Sequence, residues 1–458
     1  MKKRKAQTAI DMTEGRLLTK IIGFAVPVCL GLLFQQMYNL ADTIIVGRML
    51  GVNALAGVGA TTGLTFFAFS ISTSLGNGFA VSISQRFGAG DDDGIKKYFG
   101  NAIVLSAILA ILFTIITVVI TKPILILTET PIEIYSFAYD YVSVIFMGLS
   151  CTIFYNLLAS SLRALGDSRT PVIVLVIASI INIALDLTMI GLFGMGVSGA
   201  ALATVLSQLL SVVILAAYIM KKNKSLKICI KELCITSGVS SEQLKTSLPM
   251  VLQGAVIAVG ILVVQTAINS MGTVYVAGST AGNKLYGIMA APIDSVCQAM
   301  IPIAGQNYGA KKYERIDAGL KIVNLTGWAL TFVLSLIAYF LGPGMIGLFI
   351  DATEPDVIAY GHQFLLFYVT GFGFLTIQMS FCFALQGSGN AKMTVMSGIL
   401  ETAGRLFGAV FLARMYGYIG VCLALPLAWA FTSAYIIPAY LASRKRLRNK
   451  VCCKVATI

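Results

Sequence analysis

The amino-acid sequence predicts an all-α integral membrane protein with twelve transmembrane helices in two parallel six-helix repeats. Three observations predict it. Of the 458 residues, 57% are hydrophobic and only 12% are charged, against roughly 25% charge in an ordinary soluble domain. Apolar runs of about 20 residues, enough to cross roughly 30 Å of hydrocarbon as a helix, can be placed twelve times. The second half of the chain also repeats motifs of the first at a nearly fixed offset.

The spans are expected near 18–46, 54–84, 99–121, 136–162, 170–193 and 197–220, then 246–270, 279–304, 316–341, 358–386, 392–414 and 417–443. We refer to them as spans 1 to 12. The connections are short, and the longest, Lys221–Lys245, is polar, Lys-rich and central. The predicted organisation is an amino-terminal six-helix lobe (1–220), a cytoplasmic linker (221–245), a carboxy-terminal six-helix lobe (246–443) and a basic tail (444–458).

A net charge of +13 could suggest a nucleic-acid partner, but its distribution excludes that reading. Of the 33 Lys and Arg residues, 27 fall on the side of the termini, from Lys2–Lys5 through the even-numbered connections to the tail. The other six are Arg48, Lys122 and Arg414 on the opposite side and Lys284, Lys321 and Arg405 within spans. Such a split is the positive-inside asymmetry, so both termini are expected in the cytoplasm. The first apolar run is too long for a signal-peptide core, so no cleavable signal is expected. The nine cysteines are scattered without CxxC or metal spacing. Cys452 and Cys453 in the basic tail read as idle thiols. No GxxxxGK[ST] loop is present, so ATP is not expected to drive the protein directly.

The repeat is visible in three separated places. Ser84-Gln85-Arg86-Phe87-Gly88-Ala89 after span 2 is answered by Gly305-Gln306-Asn307-Tyr308-Gly309-Ala310 after span 8, offset 221. Leu162–Arg169 is answered by Leu385–Lys392 at offset 223, and Pro27 by Pro249 at offset 222. Each half has an even number of spans, so both enter the membrane from the same side, an arrangement found in secondary transporters.

An ionisable group in hydrocarbon costs a few kcal/mol even on permissive scales and is a functional candidate by default. Asp42 lies in span 1, in "YNLADTIIVG", and 22 residues, roughly 33 Å of helix, separate it from Lys20. Asp42 therefore belongs in the outer third of the membrane. Asp186 lies in span 5 with Asn182 one turn before it on the same helical face. Thr204 of span 6 adds a hydroxyl, and Gln35, Tyr38 and Asn39 bring polar atoms to the neighbourhood of Asp42. Two carboxylates in one low-dielectric cavity repel when both are charged, so the pair is expected to hold a proton or another cation. Asp294 in span 8 is isolated. Glu401 and Arg405 in span 11 are four residues apart and read as a self-neutralising structural pair. His362, the only histidine, reads as interfacial. Asp91–Asp93 could hold Mg2+ and a diphosphate in an intramembrane enzyme, but the repeat copy of that stretch, Gly309-Ala310-Lys311-Lys312, has no acid. It reads as a solvated loop, and neither a metal, a cofactor nor an enzymatic reaction is expected.

Pro27…Tyr38-Asn39-Leu40-Ala41-Asp42…Gly47, Gln85…Gly88-Ala89 with its copy at Gln306, and Asn182…Asp186 together resemble the multidrug and toxic compound extrusion (MATE) family. The resemblance covers about residues 14–445. It implies V-shaped lobes around a central cavity and a monomeric antiporter of the cell (inner) membrane that exports small organic, often cationic compounds. The exchange would be for H+ or Na+, by alternating access. Carried onto this sequence, the family's coupling site falls on Asp42, Asn182, Asp186 and Thr204, with Na+ possible at the two acids. The substrate cavity would include Gln35, Tyr38, Asn39, Asp294, Gln253 and Gln378. One branch of the family carries acidic ligands in spans 7 and 10, where this chain offers Gln253, Gln265, Asn269, Gln378 and Gln386 instead, which moves the expected ion site to the amino lobe. A lipid-linked precursor flippase is the alternative, and it would need a basic cavity for which only Lys284, Lys321 and Arg405 are available.

Overall fold

The computed structural model describes residues 10–128, 130–349 and 354–455, without the side chains of 448–455. Lys2–Lys5, Asp351 and the side chains of Cys452 and Cys453 lie outside the described residues. Among the described residues every regular element is helical. That follows from the solvent: in hydrocarbon each backbone N–H and C=O needs a partner from the chain itself, which a helix supplies within one segment.

Among the described residues ten helices are long and apolar enough to cross a membrane, and two further pairs, each bent at one residue, bring the number to as many as twelve. The helices follow the predicted spans closely. Span 1 is Leu17–Leu50, span 3 Asp92–Leu127, span 5 Arg169–Leu192 and span 6 Gly196–Lys222. Span 7 is Ser237–Asn269, span 8 Thr273–Gly309, span 9 Tyr313–Ile346 and span 11 Lys392–Tyr416. Span 2 is preceded by a short helix, Val52–Ala60, and continues as Thr62–Ala89. Spans 4 and 10 are the bent ones: Ile132–Met147 turns into Leu149–Ala164 by 47°, and Pro355–Thr370 into Phe372–Gly387 by 45°. Span 12 combines Tyr418–Cys422 with Ala424–Val455.

The acidic stretch Asp91–Asp93 is a helix start rather than a solvated loop. Asp91 caps span 3, with the Gly94 N–H donating to its Oδ1 at 2.8 Å. Asp92 and Asp93 occupy the first turn, where negative charge complements the helix dipole.

The chain divides into two compact units, one of Met1–Asp11 with Leu30–Val251 and one of Met12–Cys29 with Leu252–Ile458. Each shows the repeat in its own geometry. The bends fall at Gly148 in the first and Gly371 in the second. A π-helical segment ends the apolar core of span 5 at Leu187–Leu192 and recurs in span 11 at Phe407–Leu412. The left-handed backbone of Gly166 (φ 87°) recurs at Gly389 (φ 78°). At Gly166 a Cβ would also stand 2.2 Å from the Ile10 carbonyl oxygen.

Lipid offers helices no hydrophobic reason to associate, so close packing at small residues takes over. In the first unit Gly76 of span 2 lies so near Asn156 of span 4 that a Cβ would come within 2.7 Å of the Asn156 backbone. In the second, Gly404 and Gly408 of span 11 meet Ala428 and Ala424 of span 12 in the same way. Phe79, Phe99 and Leu75 fill the interior of the first unit, and Trp429 and Phe372 that of the second.

Candidate functional site

The first unit gathers the polar residues of spans 1, 4 and 5. Gln35, Tyr38, Asn39 and Asp42 follow one another at i, i+3, i+4 and i+7, which puts them on one face of span 1. Span 5 offers Asn182 and, one turn on, Asp186, the last residue before the π-helical segment. Widening the helix there shifts every following side chain around the axis, a device common beside functional groups.

The Asp42 and Asp186 carboxyl groups are close enough to interact directly. Asp186 is fully buried and Asn182 nearly so, while Asp42 is half-buried. With both acids ionised neither has a proton to give. Asp42 Oδ1, both oxygens of Asp186 and both polar atoms of the Asn182 amide then lack any partner. Buried polar groups in native proteins are almost always satisfied, so four orphaned oxygens, with the Asn182 amide donor beside them, mark a place for something that brings positive charge or a proton.

Two tyrosines complete the cluster. Tyr141, on the first limb of span 4, lies within charge-interaction range of Asp42, Tyr38 and Asp186. Tyr155, on the second limb, stands in the same relation to Tyr38 and to Arg163. Sequence reasoning missed both, because a tyrosine in a membrane helix is ordinary unless its neighbours are known. Gln35 interacts with the Tyr38 hydroxyl. Asn39 is exposed, and its carbonyl accepts the Thr43 hydroxyl at 2.8 Å. Thr204 is half-buried and turns to its own helix, donating to the Ala200 carbonyl at 3.2 Å. Among the described residues no hydrogen bond joins it to either acid.

The remaining residues sit in the second unit. Glu401 and Arg405 meet at 2.6 Å, and both are buried. Arg405 also donates to the Ile257 carbonyl at 3.0 Å, and Gln378 donates to the other oxygen of Glu401. Gln253 is buried as well, with its Nε2 donating to Ser397 Oγ at 3.1 Å and its Oε1 accepting from Gln386 Nε2 at 3.0 Å. Gln253 and Gln378 are thus engaged in packed networks between spans 7, 10 and 11. Asp294 is half-buried near Cys29 and Tyr286. Tyr286 in turn stacks among Tyr368, Phe372 and Trp429, with ring centroids 5.4, 5.8 and 6.4 Å away. Among the described residues no group of three or more His, Cys, Asp or Glu could hold a metal ion.

A sequence model of the MatE family matches residues 27–188 and again 249–411, the two halves of the repeat. The chain is similar to the probable multidrug resistance protein YpnP of Bacillus subtilis, 28% identical over 404 residues, which cover 88% of this chain and 86% of that protein. It is also similar to an FAD transporter of Shewanella oneidensis, 25% identical over 431 residues, covering 90% of this chain and 91% of the other. Among solved structures, a MATE in complex with MaL6 superimposes with a TM-score of 0.88 at 22% identity, over 97% of this chain and 99% of that one.

Proposed function

Because the chain belongs to the MatE family, we propose that it is a secondary multidrug efflux antiporter whose ion coupling is centred on Asp42 and Asp186. It exports organic, often cationic compounds in exchange for H+ or Na+ by alternating access. The observation that carries this reading is the facing carboxyl pair with its orphaned oxygens. One proton shared between the acids makes the hydrogen bond that two bare carboxylates cannot make. A Na+ would instead take up the free oxygens of Asp186, Asp42 and Asn182, since hard cations prefer oxygen donors. A cationic substrate that profits from the same negative charge competes with either ion. That competition is the least a protein needs to exchange one for the other.

The second unit supports the assignment by contrast. The charges of Glu401 and Arg405 already neutralise each other and have further hydrogen bonds, so they call for no ion. The same commitment of Arg405 weighs against the flippase reading, which needs free basic groups. In this proposal residues 1–220 and 246–443 act as lobes joined by the cytoplasmic linker 221–245, with both termini and the basic tail 444–458 in the cytoplasm. The protein works as a monomer in the cell membrane, without a cofactor and without an enzymatic step.

Efflux from sealed inverted vesicles, with a pH gradient and a Na+ gradient imposed separately, tests the reading. One of the two gradients drives uptake of an organic cation by wild type, and Asp42→Asn or Asp186→Asn abolishes it at equal amounts of folded protein. FAD serves as the anionic comparison. Undiminished transport by both variants would sink the proposal.

A further inference from the structure

We propose that the second compact unit carries a binding site for an anionic phospholipid of the cytoplasmic leaflet. The site is a groove of about 730 Å³ between span 9, the second limb of span 10 and span 12. Leu320, Trp328, Ile377, Phe381 and Ile437 form its apolar walls, and Lys321 stands at its polar end. Span 9 exposes Leu325, Trp328 and Phe332 along this stretch. Such a row of large apolar side chains on an apolar helix faces hydrocarbon.

The polar end is nearly closed on itself. Arg444 Nε donates to both oxygens of Asp317 at 2.9 and 3.2 Å, and the Tyr440 hydroxyl donates to Oδ1 at 2.5 Å. Asp317, whose side chain stays about half exposed at the groove, is therefore neutralised by Arg444. Asn324 Nδ2 is held by the Leu320 carbonyl at 2.8 Å and by Ser380 Oγ at 3.0 Å. The ammonium of Lys321 remains, exposed at the groove and without an acidic partner among the described residues. A lysine at this depth extends along the apolar wall and keeps its charge toward the interface.

Length and side identify the occupant. From Asp317 to Trp328 is 11 residues, roughly 16 Å of helix. That is close to half of the ~30 Å hydrocarbon core, so the groove extends across one leaflet. Its polar end lies on the side of Lys311, Lys312, Lys445 and Arg446, the cytoplasmic side by charge asymmetry. A ligand that fills it needs an apolar chain one leaflet long and a headgroup with net negative charge to answer Lys321. Basic pockets between helices on this side are suited to anionic headgroups. A zwitterionic lipid offers the same chain, but its own ammonium competes with Lys321 for the phosphate.

The test is thermal unfolding of the purified full chain in neutral detergent, titrated with phosphatidylglycerol or with phosphatidylcholine of the same chains. Phosphatidylglycerol should stabilise wild type at about fivefold lower concentration, the preference that roughly one lysine near an anionic surface provides. Lys321→Gln should erase that preference while leaving the phosphatidylcholine response intact, and Lys321→Arg should keep it. Trp328→Ala should weaken both lipids, and glycerol phosphate without chains should do nothing. Equal action of the two lipids on wild type, or a full preference surviving in Lys321→Gln, would overturn the proposal.

Discussion

Glu401 and Arg405 allow a structural ion pair to be told from a coupling site by energetics. Both side chains are within 6% of full burial, so neither charge has water to fall back on. Glu401→Ala removes the 2.6 Å contact and leaves Arg405 with the Ile257 carbonyl as its remaining partner. Gln378 loses its acceptor at the same time. Breaking one side of a buried pair costs about 3–5 kcal/mol, whereas replacing both partners by apolar residues of similar volume is often neutral or stabilising. At roughly 3 °C per kcal/mol for a unit of this size, Glu401→Ala should lower the unfolding midpoint by about 10 °C. Glu401→Met with Arg405→Leu should recover most of that loss and retain transport. The assay is a double-mutant cycle on purified protein, by thermal unfolding in detergent, with vesicle transport measured alongside. A double variant as stable as wild type but without transport would refute the reasoning and move the pair into the transport machinery.

Tyr141→Phe removes only the hydroxyl near the two acids, so it should slow ion-driven efflux several-fold while leaving the unfolding midpoint within about 1 kcal/mol of wild type. Measuring both on one preparation checks this. Asn101 is fully buried and ties the segment before span 7 to span 3. Its Nδ2 donates to Gln243 Oε1 at 2.8 Å, and its Oδ1 accepts from the Thr236 N–H at 2.9 Å and the Ser240 hydroxyl at 3.0 Å. Asn101→Ala leaves those groups buried and unpaired at a cost of about 1–3 kcal/mol. Limited proteolysis should then cut the 221–245 connection faster than in wild type.

The fold was legible because the bilayer imposes a length and a composition that few sequences satisfy by accident. Span positions follow from that constraint, the intramembrane acids stand out against it, and the repeat shows in three motif pairs at a near-constant offset. The bends at Gly148 and Gly371 were not legible, since each hydrophobic run continues straight through them. Nor was the π-helical segment after Asp186, whose residues Leu187–Leu192 carry no sequence mark of a widened turn. Within the site, Asp42, Asn182 and Asp186 stood out because charge and amide groups are rare in hydrocarbon. Tyr141 and Tyr155 carry a phenol hydroxyl, common on membrane helices, and only their neighbours in the folded chain set them apart. Gln253 and Gln378, which the family resemblance assigns to a cavity wall, hold spans 7, 10 and 11 together, a role amides also serve between membrane helices. The Thr204 hydroxyl donates to its own backbone.

The central claim is that Asp42 and Asp186 share one exchangeable cation that a substrate displaces. Adding an organic cation to the purified protein in weakly buffered detergent solution, and following pH and Na+ with selective electrodes, measures that displacement without transport. The account predicts release of about one H+ or Na+ per bound substrate from wild type, and none from Asp186→Asn. Equal release from wild type and from the variant would contradict it.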